Sequence, residues 1–334
     1  MSAGGSTASR AAGKAGAGEG ARSALRPSGP DEIPPPYPVT VRLAENRVAL
    51  GAAVLSAPRV EPDWVLPGLP RRDVGMIAAP GGTGKTRLGL QMAIGVALGT
   101  GWPWPGWARP PGRVLYLAAE EHADTLVDRL RAIAHATAMP AQDMDLLDER
   151  LDLHSMVAIP GACLSSMGAE GPLTVALFGL PARRYRLIVI DPLASFAGVD
   201  AENDNASATR VVKYLRAVGG STGAAILVVH HVAKAAILNG QTHLAVSARV
   251  AVALTDGVRW QAQLTRPADD QAEATGDPGA SRQLIVAKAN HVRDGQTAWL
   301  RFGPDGVLWE AEEPPHAHRP HQTKSNPGRE SRRW

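Results

Sequence analysis

Short apolar runs alternate with helical patterns along this chain from about residue 63 onwards. The runs at 74–79, 113–118, 187–190 and 224–229 are almost entirely apolar, with none of the polar alternation of a half-exposed strand. Strands of this kind are typical of a parallel sheet that is covered on both faces. We therefore predict four buried strands at these positions.

The stretches between these runs have the periodicity of helices. Residues from Lys85 to about Leu98 are apolar on more than one side, which predicts a buried helix. A second helix is predicted from apolar residues that share one side, namely Leu126, Leu130 and Ile133. A third has Asn203 or Asp204 as its N-cap and an apolar stripe made of Val211, Leu215 and Val218.

The last part of the chain has a different order of elements. Strand patterns recur near 257–264, 283–289, 297–302 and 307–310, with little helix between them. The segment 138–182 is interrupted by Gly and Pro, and we interpret it as an inserted strand with a loop. Together these patterns predict an α/β fold: a mainly parallel sheet flanked by helices, with an antiparallel extension at one edge.

The two ends differ from this core in composition and charge. Residues 1–35 are rich in Ala, Gly, Ser and Pro, and residues 315–334 are similarly poor in bulky apolar side chains, so we predict two disordered tails around a folded domain of residues 36–314. Residues 1–30 carry +3 and residues 315–334 carry +4 of a chain total of +3, which leaves the core near −4. The basic tails either bind nucleic acid weakly or are simply solvated.

Other features of the composition point to the cytoplasm. Cys163 is the single cysteine, so no disulfide can close within the chain, as is usual in a reducing compartment. The N-terminus has no apolar segment typical of a secretory signal, and no apolar run approaches the roughly 20 residues that span a membrane. We expect no membrane partner and a cytoplasmic location.

The strongest chemical signal is the glycine-rich segment between the first predicted strand and the first predicted helix. It reads Ala79-Pro-Gly-Gly-Thr-Gly-Lys-Thr86, which matches a phosphate-binding loop except that Ala stands where the strict pattern has Gly. Glycines allow backbone N–H groups to converge on phosphate oxygens, and the helix N-terminus adds partial positive charge. We expect ATP to contact Gly81, Gly82, Thr83, Gly84, Lys85 and Thr86, with the Thr86 hydroxyl as a Mg²⁺ ligand.

Carboxylates follow two of the other predicted strands. Asp191 comes directly after the 187–190 run, where the carboxyl ends of parallel strands form the ligand crevice, so we expect it to hold Mg²⁺ beside Thr86. Glu120 and Glu121 follow the 113–118 strand. One of them, with Glu120 preferred, would polarise the attacking water, whereas either could instead open the next helix.

Histidines and arginines supply weaker signals. His230 and His231 end the 224–229 strand on the crevice side, where a His could sense the γ-phosphate or could be purely structural. For Arg249 and Arg259, local sequence indicates no more than surface ion pairs. The Trp102–Trp107 loop either stacks on bases or packs against the core, and packing is preferred.

Taken together, the motifs resemble the RepA group of hexameric replicative helicases, which are RecA-like P-loop ATPases. The resemblance covers residues 63–310 and is carried by the phosphate loop and by the segments at 63–67, 114–120, 188–191, 228–234, 256–260 and 287–290. It implies that Lys85 and Thr86 bind phosphate and Mg²⁺, that Glu120 is the catalytic carboxylate and that Asp191 is the aspartate on the metal side. It also implies that His231 senses the γ-phosphate and that Arg259 is an arginine finger given to a neighbouring subunit.

The resemblance further implies a hexameric ring that binds single-stranded DNA, with Lys234, Arg249 and Lys288 at basic positions of the family. Two features depart from it: Val250-Ala-Val252 replaces the usual Gly-Ser-Ser, and residues 158–173, where a channel loop would lie, contain no Lys or Arg.

The leading prediction is a DNA helicase in plasmid or mobile-element replication. The alternatives are a RecA-like ATPase that remodels DNA or protein without unwinding, and a monomeric small-molecule kinase.

Overall fold

The structure is a computed structural model that describes residues 47–48, 50–58, 60–104, 106–198, 205–231, 252–267, 277, 279–290 and 296–313. All the elements named below lie in Gly51–Trp334, the larger of the two units into which the chain divides. The two predicted tails, the predicted cap at Asn203 or Asp204, and the predicted DNA contacts Lys234 and Arg249 lie outside the described residues.

Thirteen strands and eight helices are described in this part of the chain. The strands are β1 Trp64–Leu66, β2 Leu69–Pro70, β3 Val74–Ala79, β4 Val114–Ala118, β5 Leu151–Ser155, β6 Ser165–Ser166, β7 Ala169–Glu170, β8 Leu187–Asp191, β9 Ala225–His231, β10 Trp260–Thr265, β11 Ser281–Ala289, β12 Thr297–Phe302 and β13 Leu308–Ala311. The helices are α1 Ala52–Leu55, α2 Lys85–Leu98, α3 Ala123–Ala136, α4 Ala141–Arg150, α5 Pro172–Phe178, α6 Leu193–Ala197, α7 Asn205–Thr222 and α8 Val252–Gly257.

Nine strands form one sheet in the order β13-β12-β11-β10-β3-β9-β8-β4-β5. The six strands from β10 to β5 are parallel to one another, and β11, β12 and β13 add antiparallel strands beyond β10. The predicted mainly parallel sheet with an antiparallel edge is confirmed. Because β3 lies between β10 and β9, the loop that follows β3 sits at the centre of the sheet's carboxyl edge.

The segment 138–182 is richer than the predicted strand and loop. It contains helix α4 and strand β5, which extends the parallel sheet beyond β4, and then the small β6–β7 hairpin and helix α5. The burial of β5 is only intermediate because it is an edge strand. Its sequence LDLHS therefore lacks the continuous apolar run that marks the central strands.

Two apolar layers cover the sheet and explain why the central strands have no polar alternation. Successive side chains of one strand point to opposite faces, so Tyr116 packs in the layer with α2 and α3, while Leu115 and Leu117 pack in the layer with α5, α6 and α7. Both layers exclude water, and consecutive residues of β3, β4, β8 and β9 are accordingly buried.

The tryptophan loop after α2 packs against the core. Trp104 is buried and meets the ring of Trp260 edge to face, with ring centroids 6.4 Å apart. Trp260 in turn donates its indole N–H to the carbonyl of Pro67 at 2.7 Å. This contact agrees with the preferred interpretation that the loop packs.

Within the described part of the chain, none of the helices has both the length and the apolar character needed to cross a bilayer.

Candidate nucleotide-binding site

The glycine-rich loop connects the end of β3 to the first residue of α2, as predicted. Gly82 and Gly84 have φ of 75° and 98°, in the left-handed region that costs other residues about 1–2 kcal/mol. Gly84 is the N-cap of α2, and the Thr83 hydroxyl donates to the Pro80 carbonyl at 2.7 Å. The loop therefore wraps around a helix N-terminus, whose first N–H groups have no partner within the helix and can bind an anion.

Lys85 lies beneath this loop and is almost fully buried. Its Nζ donates one hydrogen bond to the Pro80 carbonyl at 2.9 Å, which leaves donor capacity on the same group for phosphate oxygens. Burial lowers the pKa of Lys85, and the nearby carboxylates of Asp191 and Glu120 oppose that change. A buried cation beside an anion-binding loop is suited to bind a triphosphate.

Asp191, at the end of β8, is buried next to the first turn of α2. Its Oδ2 accepts a hydrogen bond from the Tyr116 hydroxyl at 2.6 Å, and its carboxylate is also hydrogen-bonded to the Thr86 side chain. Burial raises the pKa of Asp191, while these two hydrogen bonds oppose the rise. The predicted metal ligands Thr86 and Asp191 are thus brought together.

This pair of oxygen ligands fits Mg²⁺ in the way that nucleotide sites use it. Mg²⁺ is usually bound by one or two protein oxygens together with phosphate oxygens and waters. In the part of the chain that the structure describes, no group of three or more His, Cys, Asp or Glu side chains could hold a metal by itself. Thr86 and Asp191 would therefore hold the ion jointly with the nucleotide.

The two glutamates after β4 have different surroundings. Glu121 forms an ion pair with Arg129 on α3. The backbone carbonyl of Glu121 accepts a hydrogen bond from the Ser155 hydroxyl at 2.7 Å. Burial raises the pKa of Glu121, and Arg129 opposes that rise. Glu120 has a side chain that is 58% exposed, and its Oε1 lies 3.8 Å from Nε2 of His231. Glu120 is the glutamate whose carboxylate is open to solvent at the carboxyl edge.

The two histidines at the end of β9 also differ from each other. His231 is opposite Ala79 in the register with β3, so it lies next to the start of the phosphate loop. His230 is almost fully buried, and neither ring nitrogen has a hydrogen-bond partner among the residues that the structure describes. Burial, with the nearby positive charges of His231 and Lys85, lowers the pKa of His230 to about 4. His230 is therefore a neutral buried group.

Arg259 lies at the opposite edge of the sheet from the phosphate loop. It directly precedes β10, and its backbone N–H donates to the carbonyl of Val74, the first residue of β3. The phosphate loop begins beyond the far end of β3, about 16 Å away at roughly 3.3 Å per residue. The exposed Arg259 side chain therefore lies at the amino end of the strands, whereas the phosphate loop of its own chain lies at their carboxyl end.

Lys288 has a partner within its own chain. Its Nζ donates to the carbonyls of Thr255 and Asp256, at 3.0 and 3.3 Å. These carbonyls belong to the last turn of α8, where a positive charge stabilises the negative end of the helix dipole.

Two residues of the antiparallel extension contact the phosphate loop and were not among the predicted site residues. The buried Arg282 on β11 donates from Nε to the Thr83 carbonyl at 3.0 Å, and its guanidinium lies 4.8 Å from the ring centroid of Phe302 on β12. The Phe302 ring also occupies the space that a Cβ on Gly84 would need. Arg282 is 199 positions from Thr83 in sequence, so no local pattern indicates this contact.

Comparisons with known proteins bear on the family and the fold of this chain. A family model described as an AAA domain matches residues 42–236, more than half of the chain. The structure is similar to a solved ATPase domain, with 14% identity, coverage of 72% of this chain and 86% of that chain, and a TM-score of 0.52. It is also similar to a DnaB-like replicative helicase, with 14% identity, coverage of 72% of this chain and 58% of that chain, and a TM-score of 0.53. The chain therefore belongs to the AAA domain family, and its fold is that of a RecA-like P-loop nucleotide-binding domain.

Proposed function

We propose that this protein is a Mg²⁺-dependent ATPase that works as a ring-shaped DNA motor. The observation that carries the proposal is the convergence of Lys85, Thr86 and Asp191 on one glycine-rich loop, with Glu120 beside it. Each side chain has the chemistry that phosphoryl transfer to water requires at the position where it lies.

The residues would share the work of hydrolysis. The loop amides and Lys85 would bind the β- and γ-phosphates, and Thr86 and Asp191 would hold Mg²⁺, which neutralises phosphate charge when bound. Glu120 would orient and polarise the attacking water, because its carboxylate is exposed at the carboxyl edge while Glu121 is paired with Arg129. His231, 3.8 Å from Glu120, would respond to loss of the γ-phosphate.

A ring would complete the site. Arg259 lies at the edge opposite to the loop, so it would serve a site in trans, as an arginine finger from the adjacent subunit. A head-to-tail ring brings the opposite edges of neighbouring subunits against each other, and we propose a hexamer. In the family that the motifs resemble, DNA-contacting loops lie in the central channel of such a ring, and the similar DnaB-like protein is a replicative helicase.

More specifically, we propose that the protein is a helicase that moves along single-stranded DNA in plasmid or mobile-element replication. The test is strand displacement on a forked duplex, measured beside ATP turnover with and without single-stranded DNA. Turnover that rises with DNA and separates the strands would support the helicase. Turnover without strand separation would favour a RecA-like ATPase that remodels DNA or protein.

A monomeric small-molecule kinase is the remaining alternative. Size-exclusion chromatography with ATP and Mg²⁺ separates it from the ring, because a kinase would stay at the mass of one chain. A complex of several chains that forms with nucleotide would support the motor. A monomer at every nucleotide concentration would contradict it.

A further inference from the structure

A basic cavity of about 380 Å³ lies at the sheet edge opposite to the phosphate loop. Its walls include Arg71, Arg72, Arg183 and Gly223. Arg71 and Arg72 come just before β3, whereas the phosphate loop follows the end of β3, about 20 Å further along the strand at 3.3 Å per residue. The cavity is therefore separate from the nucleotide site.

Three arginines hold one turn of backbone between them. The backbone N–H of Arg183 donates to the Thr222 carbonyl at 2.6 Å. Nε of Arg71 donates to the next carbonyl, that of Gly223, at 2.6 Å. The backbone N–H of Arg72 donates to the Ala224 carbonyl at 3.0 Å. Arg71 also donates to the Tyr185 carbonyl at 3.0 Å. The guanidinium of Arg71 is thus part of the framework, and Arg72 and Arg183 contribute their backbones to it.

Arg72 and Arg183 have an unusual backbone conformation for their residue type. Their φ values are 70° and 61°, in the left-handed region that glycine adopts freely and that costs other residues about 1–2 kcal/mol. Glycine or asparagine would remove most of this cost. Strained residues of this kind persist where the surrounding structure fixes them, and they cluster at functional sites.

The side chains of Arg72 and Arg183 are available for a ligand. Both residues are exposed, and their guanidinium groups have no hydrogen bond or ion pair among the residues that the structure describes. The carboxylate in the cavity wall, Asp63, already accepts a hydrogen bond from the buried Arg186 at 2.6 Å and is 4.0 Å from Arg71. Burial lowers the pKa of Arg71; the attraction of Asp63 opposes this, and repulsion from Arg186, Arg183 and Arg72 adds to it. The cavity therefore has an excess of positive charge.

We propose that this cavity is a second anion site, in which Arg72 and Arg183 bind a phosphate group. A guanidinium donates two parallel hydrogen bonds to phosphate oxygens, and two such groups, whose backbones are fixed to the same turn, can hold one phosphate from two sides. The phosphate belongs either to a nucleic-acid backbone or to free phosphate or a nucleotide. The site does not depend on the proposed ATPase activity.

The experiment uses the full chain with Lys85→Ala, which disables the phosphate loop and makes the two sites separable. In this background, Arg72→Asn and Arg183→Asn remove the charges while asparagine tolerates the left-handed conformation. Arg131→Asn with Lys213→Asn is the matched control, because both side chains are exposed, on helices α3 and α7, and the charge change is equal. Binding of a fluorescein-labelled oligothymidylate is measured across a salt series, and thermal stability is measured with and without inorganic phosphate at equal ionic strength.

Without phosphate, we expect the Arg72→Asn, Arg183→Asn variant to melt no lower than the control, and to melt higher if relief of the left-handed strain is expressed. We expect the same variant to lose ligand binding relative to the control. Oligothymidylate affinity that falls about tenfold, with a shallower salt dependence, would support the site and identify the nucleic-acid backbone as the ligand. Loss of phosphate stabilisation alone would support the site and identify free phosphate or nucleotide. If both variants bind oligothymidylate and phosphate equally well, the proposal is wrong.

Discussion

The Tyr116 hydroxyl donates a hydrogen bond to Oδ2 of Asp191 at 2.6 Å, inside the layer between the sheet and α2. Gly89 on α2 makes this contact possible, because a Cβ at position 89 would lie 2.8 Å from the hydroxyl oxygen. The pKa of Tyr116 is raised well above its usual value, mainly by burial, so the hydroxyl keeps its proton. A strand residue far from the phosphate loop in sequence thus fixes the carboxylate that is proposed to hold Mg²⁺.

We predict that Tyr116→Phe weakens both folding and metal-dependent activity. The substitution leaves a buried carboxylate without one donor, which costs about 1–3 kcal/mol of unfolding free energy. Partners that orient a metal ligand typically affect metal affinity or activity by about 10–100-fold. ATP turnover measured against Mg²⁺ concentration should therefore require more Mg²⁺.

Tyr185→Phe is the control for this change. Tyr185 is hydrogen-bonded to Asp152, near the start of the outermost strand β5, whereas Asp191 is the last residue of β8. Loss of the Tyr185 hydrogen bond should lower stability without altering the Mg²⁺ dependence. Equal Mg²⁺ dependence in Tyr116→Phe and the native protein would show that Tyr116 has only a structural role.

Arg282 should affect nucleotide binding from outside the recognised motif. Arg282→Ala removes the donor to the Thr83 carbonyl and the partner of the Phe302 ring, so the phosphate loop loses its contact with β11. We expect the apparent Kd for an ATP analogue to rise by about tenfold, which corresponds to one charge-assisted hydrogen bond of about 1.4 kcal/mol. The measurement is equilibrium titration with a fluorescent analogue.

Arg301→Ala tests whether this effect is specific. Arg301 is the neighbour of Phe302 on β12, and its guanidinium is half exposed and 3.7 Å from Asp277. Nucleotide affinity should stay near the native value in this variant. An equal loss of affinity in both variants would show that any disturbance of the extension, and not the Thr83 contact, controls the loop.

His230 should make stability depend on pH. The pKa of His230 is lowered to about 4 from 6.5, so the unfolded chain binds this proton more readily than the folded chain. The stabilisation is complete above pH 6.5 and is lost as the pH falls towards 4, by about 3 kcal/mol. Unfolding by urea at a series of pH values measures it.

His230→Leu should flatten this part of the curve, because leucine has no proton to bind. The native protein and the variant differ in no other titrating residue, so the difference between their curves isolates His230. A difference that is constant from pH 7 to pH 4 would contradict a depressed pKa.

Arg259 should act across a subunit boundary. Arg259→Ala should bind nucleotide nearly as well as the native protein, because the residue lies at the edge opposite to its own phosphate loop, yet hydrolysis should fall by about 10³-fold or more. Mixing Arg259→Ala with Lys85→Ala should restore part of the ATP turnover, since some interfaces would then contain both native residues. No recovery at any mixing ratio would argue against donation in trans.

Most of the fold could be predicted because burial on both faces gives a distinctive sequence. The strands β3, β4, β8 and β9 are continuous apolar runs, and the glycine loop stands between β3 and α2 where its motif requires. By contrast, β5 is a half-exposed edge strand with a mixed sequence, so the pattern predicts an inserted strand within 138–182 without its bounds and does not predict helix α4.

The local parts of the candidate site could be predicted for the same reason, and the distant parts could not. Asp191 and Glu120 each follow a recognisable strand, so their place at the carboxyl edge follows from topology alone. Arg282 and Phe302 reach the loop only because β11 and β12 return antiparallel beside β10, a pairing that no short motif encodes. The strained Arg72 and Arg183 likewise have no sequence signature, because left-handed backbone usually indicates glycine.

We infer that the loop at 79–86 binds ATP through Lys85. The most direct test is equilibrium binding of a fluorescent ATP analogue with Mg²⁺ to the native protein and to Lys85→Ala, with melting curves to show that both are folded. We expect saturable binding to the native chain and at least a tenfold loss in the folded variant. Absence of saturable binding to the native protein, or equal affinity in the two proteins, would contradict the claim.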